Sequence, residues 1–227
     1  MNFKRISLFA GHYGSGKTNI AVNYAFKLNE NGFPVMIADL DIVNPYFRTK
    51  DSEADFKKRG IELISSAYSN SNLDIPALPS QIYRTVQDTS KYAIIDVGGD
   101  DQGAVALGRY VPFILEENNF DMFFVANCFR PLTQTPEEAL AVMREIESAC
   151  GLPFTAIINN SNLGGETKPE NILSSKDYIE KLSEISGLPI AFTCVDKRLF
   201  NQLSGEVKEL FPLTLQKKYF DIENGGK

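Results

Sequence analysis

Gly11-His12-Tyr13-Gly14-Ser15-Gly16-Lys17-Thr18 fits the spacing G-x-x-x-x-G-K-[ST]. Glycines in that pattern let the backbone curl so that successive N–H groups point inward at one anion. A helix starting near Lys17 aims the positive end of its dipole at the same place, which makes the segment a phosphate-binding P-loop. Lys17 is then the group that reaches the β- and γ-phosphates. The Thr18 hydroxyl is a ligand for Mg²⁺, a cation that takes few protein oxygens and completes its shell with phosphates and water. The nucleotide-binding set is Gly11, His12, Tyr13, Gly14, Ser15, Gly16, Lys17 and Thr18, with Asn19 following directly in the first helical turn.

The pattern needs a strand before it and a helix after it. Ile6–Ala10 is an apolar run, and Ile20, Ala21, Tyr24, Ala25 and Leu28 recur on one helical face before Asn31-Gly32 ends it. Further apolar runs follow at Val35–Ala38, Ile61–Ile64, Tyr92–Val97, Met122–Ala126, Phe154–Ile158 and Ile190–Val195. Continuous apolar strands belong to sheets buried on both faces. Thr135-Pro136-Glu137-Glu138 is a capping box with proline at the first helical position; Ala139, Val142, Met143, Ile146, Ala149 and Cys150 form the stripe behind it, and Gly151 stops it. This alternation predicts an α/β P-loop NTPase fold with right-handed crossovers, a mostly parallel central sheet and helices on both faces. A single domain is expected over residues 1–222, with 223–227 a frayed tail. The stretch from Asn44 to Asp74 is the least regular, and Ser65 to Asn72 has the composition of an exposed loop.

Acidic residues at strand ends complete the site. Tyr92–Asp96 is an apolar strand ending in a carboxylate, the Walker B arrangement, in which Asp96 meets Mg²⁺ at the carboxyl end of a parallel strand. Gly98 and Gly99 follow, so that Asp-x-x-Gly places Gly99 where a backbone senses a γ-phosphate. Asp39 and Asp41 end the second strand, and alternation sends both to one side, as suits a pair serving one metal and water site.

Composition limits the other chemistries. The chain has 227 residues, 43% of them hydrophobic and 23% charged, with 16 glycines and 11 prolines, which is the make-up of an ordinary globular protein. One histidine and three scattered cysteines leave too few soft ligands for a self-contained zinc or iron–sulfur centre, and the odd cysteine count suits a reducing cytoplasm. The formal charge of −6 disfavours broad contact with DNA. Neither a cleavable leader nor a membrane span is recognisable, and Lys217-Lys218-Tyr219-Phe220 offers too short an apolar face for stable membrane binding.

The segments GHYGSGKT, ADLD, IIDVGG and IINN together resemble the ParA/MinD group of P-loop ATPases, of the CobQ/CobB/MinD/ParA superfamily within the SIMIBI class; DLDIVNPYFR is similar to an uncharacterised branch of it. The resemblance implies an ATPase that uses ATP and Mg²⁺ and closes a homodimer around the nucleotide. It implies that Asp41 positions the attacking water, that Asp39 is the outer-shell acid of Mg²⁺, that Asp96 is the Walker B acid, and that Asn159 or Asn160 contacts adenine. No NKxD guanine motif occurs. The group usually carries a lysine as the second residue of its loop, reaching the partner's phosphates; here His12 stands there, which either serves catalytically when a bound triphosphate holds it in its charged form, or leaves trans activation weakened or taken over by an arginine, with Arg48, Arg109 and Arg130 as candidates. Two other readings stay open: an ATP-dependent small-molecule synthetase or kinase of the dethiobiotin synthetase or cobyrinate amidase type, with Arg48, Lys50 and Arg84 near an acidic acceptor, and a non-hydrolytic ATP-binding partner protein. The acidic pair Asp100-Asp101 either touches a client or a second cation, or caps a helix beginning near Gly103. The resemblance does not supply the client.

Overall fold

The structure, a computed structural model, describes residues 3–40, 52–64, 80–99 and 101–215. Its strands are β1 (Ile6–Ala10), β2 (Val35–Asp39), β3 (Glu62–Ile64), β4 (Tyr92–Asp96), β5 (Phe120–Ala126), β6 (Ala156–Asn159), β7 (Ile190–Asp196) and β8 (Leu210–Leu213). They form one sheet in the order β3-β2-β4-β1-β5-β6-β7-β8, and every neighbouring pair is parallel. The chain steps outward to β3, returns through β4 to lie beside β1, and crosses β1 to build the other half from β5. Loops after β1, β4 and β5 therefore meet at the carboxyl ends of the strands, at the switch point where sheets of this kind bind ligands.

The helices are α1 (Lys17–Glu30), α2 (Glu53–Arg59), α3 (Arg84–Gln87), α4 (Asp101–Gly108), α5 (Val111–Glu117), α6 (Pro136–Cys150), α7 (Pro169–Ser174), α8 (Lys176–Ser186) and α9 (Phe200–Leu203). Alternation along the strands sends Ile6, Leu8, Ile95 and Phe124 to one face, where α4, α5, α6 and α8 cover them. Phe9, Ile37, Ile94 and Val125 face the other way, against α1 and α2. Aromatic rings fill this second side: Tyr24 of α1 lies 5.2 Å from Phe9 and 6.1 Å from Phe211, centroid to centroid. Burial there pushes the Tyr24 hydroxyl well above its ordinary pKa.

The cap of α6 forms as its sequence dictates. Glu138 N donates to Thr135 Oγ1 at 3.2 Å, Thr135 N donates to the Glu138 carboxylate at 3.1 Å, and Gly151 closes the helix at φ 74°. Two elements depart from the sequence reading. Helix α2 occupies part of the stretch expected to be irregular, because its charges suit the helix dipole and Gly60 ends it at φ 69°, although only Phe56 is buried. Strand β8 is an unexpected eighth strand; it is four residues long and contains Pro212, which a strand tolerates at a sheet edge. The amino ends of the central strands β1 and β4 are tied by Arg5, which pairs with Glu117 and donates to the carbonyls of Thr85 (3.1 Å) and Lys91 (3.2 Å).

Candidate phosphate-binding site

Helix α1 starts without a side-chain cap and without an acidic residue in its first turn. A helix N-terminus of that kind suits an anion. Gly14 and Gly16 take φ of 76° and 92°, the left-handed conformation the loop needs, and Ser15 N donates to His12 O at 3.1 Å to close the turn. Lys17 is buried and folds back so that Nζ donates to the His12 carbonyl at 3.4 Å.

Two further loops press against this one. A Cβ on Gly99 would stand 2.8 Å from Lys17 Nζ and 2.9 Å from Tyr13 N, so only glycine fits between the loop after β4 and the cradle. Behind it, a Cβ on Gly103 of α4 would lie 2.6 Å from Gly98 Cα. On the other side, Asn160 Nδ2 donates to Ser15 O at 2.6 Å, and a Cβ on Gly16 would collide with that same amide. Asn159 is engaged elsewhere, donating to Ser175 Oγ at 2.9 Å and accepting from Ser161 N at 3.1 Å. Of the two asparagines, Asn160 is therefore the one joined to the P-loop, through the loop's backbone.

The candidate Mg²⁺ ligands converge. Asp39 and Asp96 are register partners on β2 and β4. Ile37 and Ile94, two residues earlier, face α1, so the two carboxylates also end their strands on the α1 side, where buried Thr18 opens that helix. Two carboxylates side by side at a strand end repel one another, and a divalent cation relieves that repulsion. The Ser15 hydroxyl, inside the cradle, is buried with no hydrogen-bond partner among the described residues. An orphaned hydroxyl, a glycine-lined concavity and this oxygen set all fit a nucleotide with Mg²⁺. Asp41, Arg48, Lys50 and Asp100 lie outside the described residues, as does the 217–220 segment.

His12 is partly buried, and its pKa is lowered by that burial and by Lys17, with Glu145 of α6 opposing. It is thus a neutral imidazole near pH 7 and does not carry the charge of a lysine. Of the arginines, exposed Arg109 follows α4 at the far end of the sheet, next to Gly108, which packs on the last turn of α6. Arg84 pairs with Glu62 at the start of β3, also away from the cradle. Arg130, in the loop after β5, lies at the cradle: its Cδ and Nε stand 3.8 Å from where a Cβ of Gly14 would be. Sequence reasoning missed Asn127 and Thr133, the buried residues that shape the Arg130 loop; the available signal was a polar residue closing a parallel strand.

No helix among the described residues is long and apolar enough to cross a membrane. No family model and no curated protein matches the chain. Solved structures do. Cell division protein FtsY from Thermotoga maritima shares 16% identity at a TM-score of 0.60, covering 86% of this chain and 62% of that one. FtsY from Mycoplasma mycoides shares 17% at a TM-score of 0.57, over 86% and 63% respectively. Signal recognition particle 54 kDa protein from Aeropyrum pernix K1, solved in complex with GDP, shares 16% at a TM-score of 0.52, over 85% and 41%. The chain thus spans less than two thirds of the length of each, and at these identities the likeness establishes the fold: an α/β P-loop NTPase fold.

Proposed function

We propose that the chain binds ATP with Mg²⁺, hydrolyses it, and acts as a nucleotide-dependent homodimer switch of ParA/MinD type. The observation that carries the reading is the cradle itself, an uncapped α1 with Lys17 curled over the loop and Gly99 wedged against both. Backbone N–H groups and Lys17 hold the phosphates. Thr18 and Asp96 hold Mg²⁺, with Asp39 behind them. When bound, Mg²⁺ supplies charge neutralisation at the β- and γ-phosphate oxygens. Asp41 orients the water that attacks the γ-phosphorus, and the products are ADP and phosphate. Gly99 reports whether the γ-phosphate is present. Exposed Tyr13 and Leu132, on loops at the mouth of the site, give a second copy apolar footing.

Adenine is favoured over guanine because Asn160 is followed by Ser161-Asn162-Leu163, with no carboxylate to accept guanine's N–H groups. GDP in the Aeropyrum protein makes GTP the competitor to test. Calorimetric titration with ATP, GTP and ADP, with Mg²⁺ or with chelator, decides the nucleotide. Asp41→Ala is expected to keep binding and lose hydrolysis, Lys17→Ala to lose binding, and gel filtration to show dimers with ATP and monomers with ADP. A wild type that binds no nucleotide overturns the reading; hydrolysis only with an added acidic metabolite replaces the switch with a synthetase.

A further inference from the structure

The loop between β5 and α6 is built to hold one side chain still. Arg130 N donates to Asn127 O at 3.1 Å, Thr133 N to Arg130 O at 3.3 Å, and Thr133 Oγ1 to Asn127 O at 2.9 Å. The Asn127 side chain accepts from Phe129 N at 3.0 Å and donates to Asn162 O at 3.3 Å, while Cys128 N donates to Ser161 Oγ at 3.2 Å. Asn127 and Thr133 are fully buried. Between them Leu132 is 61% exposed and sits at φ 63°, a left-handed conformation that strains a branched aliphatic residue and is kept only where the surroundings enforce it. Nothing in the packing of an exposed leucine calls for that strain. The residue whose placement it secures is Arg130, whose Nε is buried over Gly14 with no hydrogen-bond partner among the described residues. A guanidinium held with a buried donor unmet, at the lip of an anion cradle, is suited to donate to an anion.

Resting on the nucleotide-binding reading, we propose that Arg130 is a phosphate ligand supplied in cis: its guanidinium N–H groups donate to polyphosphate oxygens beside Gly14, from the side of the cradle opposite Gly99. The cradle is then closed by β4 on one flank and by β5 on the other. Because β5 pairs directly with β1, the arginine and the P-loop are fixed to adjacent strands of one chain and need no partner copy to meet. The second loop position, occupied by a histidine, is relieved of supplying charge.

The test uses the full chain, with ATP and inorganic tripolyphosphate as separate probes, the second reporting phosphate contacts alone. Arg130→Met keeps an apolar stem against Gly14 and removes every donor; Arg130→Lys restores charge without the fork. Arg130→Met is expected to weaken both probes by about tenfold to a hundredfold with an unchanged melting temperature, and Arg130→Lys to recover part of the loss. Met-variant affinities equal to wild type overturn the proposal, as does an equal loss in both variants accompanied by a fall in melting temperature, which marks a packing strut. A wild type that binds neither probe overturns the nucleotide reading as well, whereas binding that ignores Arg130 removes this inference only.

Discussion

Gly99 shows how little room the site has. Its missing side chain is replaced by contact with Lys17 and Tyr13, so Gly99→Ala must displace the Tyr13 backbone and is expected to lower the melting temperature and weaken nucleotide binding about tenfold or more, the latter measured by calorimetry. His12 carries a second prediction. Its pKa is depressed when the site holds no anion, so the unfolded chain takes up its proton first as pH falls. Stability linked to His12 is fully present above its ordinary value of 6.5 and is lost as pH drops from there to the depressed value. A bound polyphosphate raises that pKa, so binding takes up a proton. The affinity of wild type relative to His12→Ala is therefore expected to be greatest near pH 6 and to fall toward about pH 8, read from titrations across that range. A flat ratio would remove His12 from the phosphates. The P-loop residues were legible because their spacing is local. Arg130 stood among three arginines that sequence could not rank, since its position over Gly14 depends on β5 lying beside β1.

At the scale of elements, stability and binding separate. The α6 cap is exposed and local: Thr135→Ala should cost about 1 kcal/mol, a fall of roughly 2–4 °C in melting temperature. Arg5 is 6% exposed and ties the segments before β1 and β4 to α5. Arg5→Met leaves the Glu117 carboxylate without its partner and is expected to cost about 3–5 kcal/mol in urea unfolding while ATP affinity stays at wild type, because the pair sits at the strand ends remote from the loop. Asn160→Ala joins the two effects: it frees the buried Ser15 carbonyl, costing about 1–3 kcal/mol, and loosens the cradle, so affinity falls together with stability. The strands of the centre were readable as apolar runs; α2 and β8 were not, since a helix with one buried side chain and a four-residue strand carry almost no period.

For the molecule as a whole, the sequence announces a parallel α/β sheet but not its order, because strand order is settled by crossovers that leave no local mark. That order also determines what lies at the rims. Among the described residues one rim is β3, three residues long; the other is β8, where Glu209 O accepts from Thr193 N of β7 and Leu213 O from Lys197 N just beyond it. Alternation turns the polar groups of residues 210 and 212 outward, and residue 212 is a proline, with no N–H to offer. The β8 rim is thus a poor template for strand-by-strand growth. Under the proposed switch, a second copy would therefore dock through loops and helices rather than through this edge.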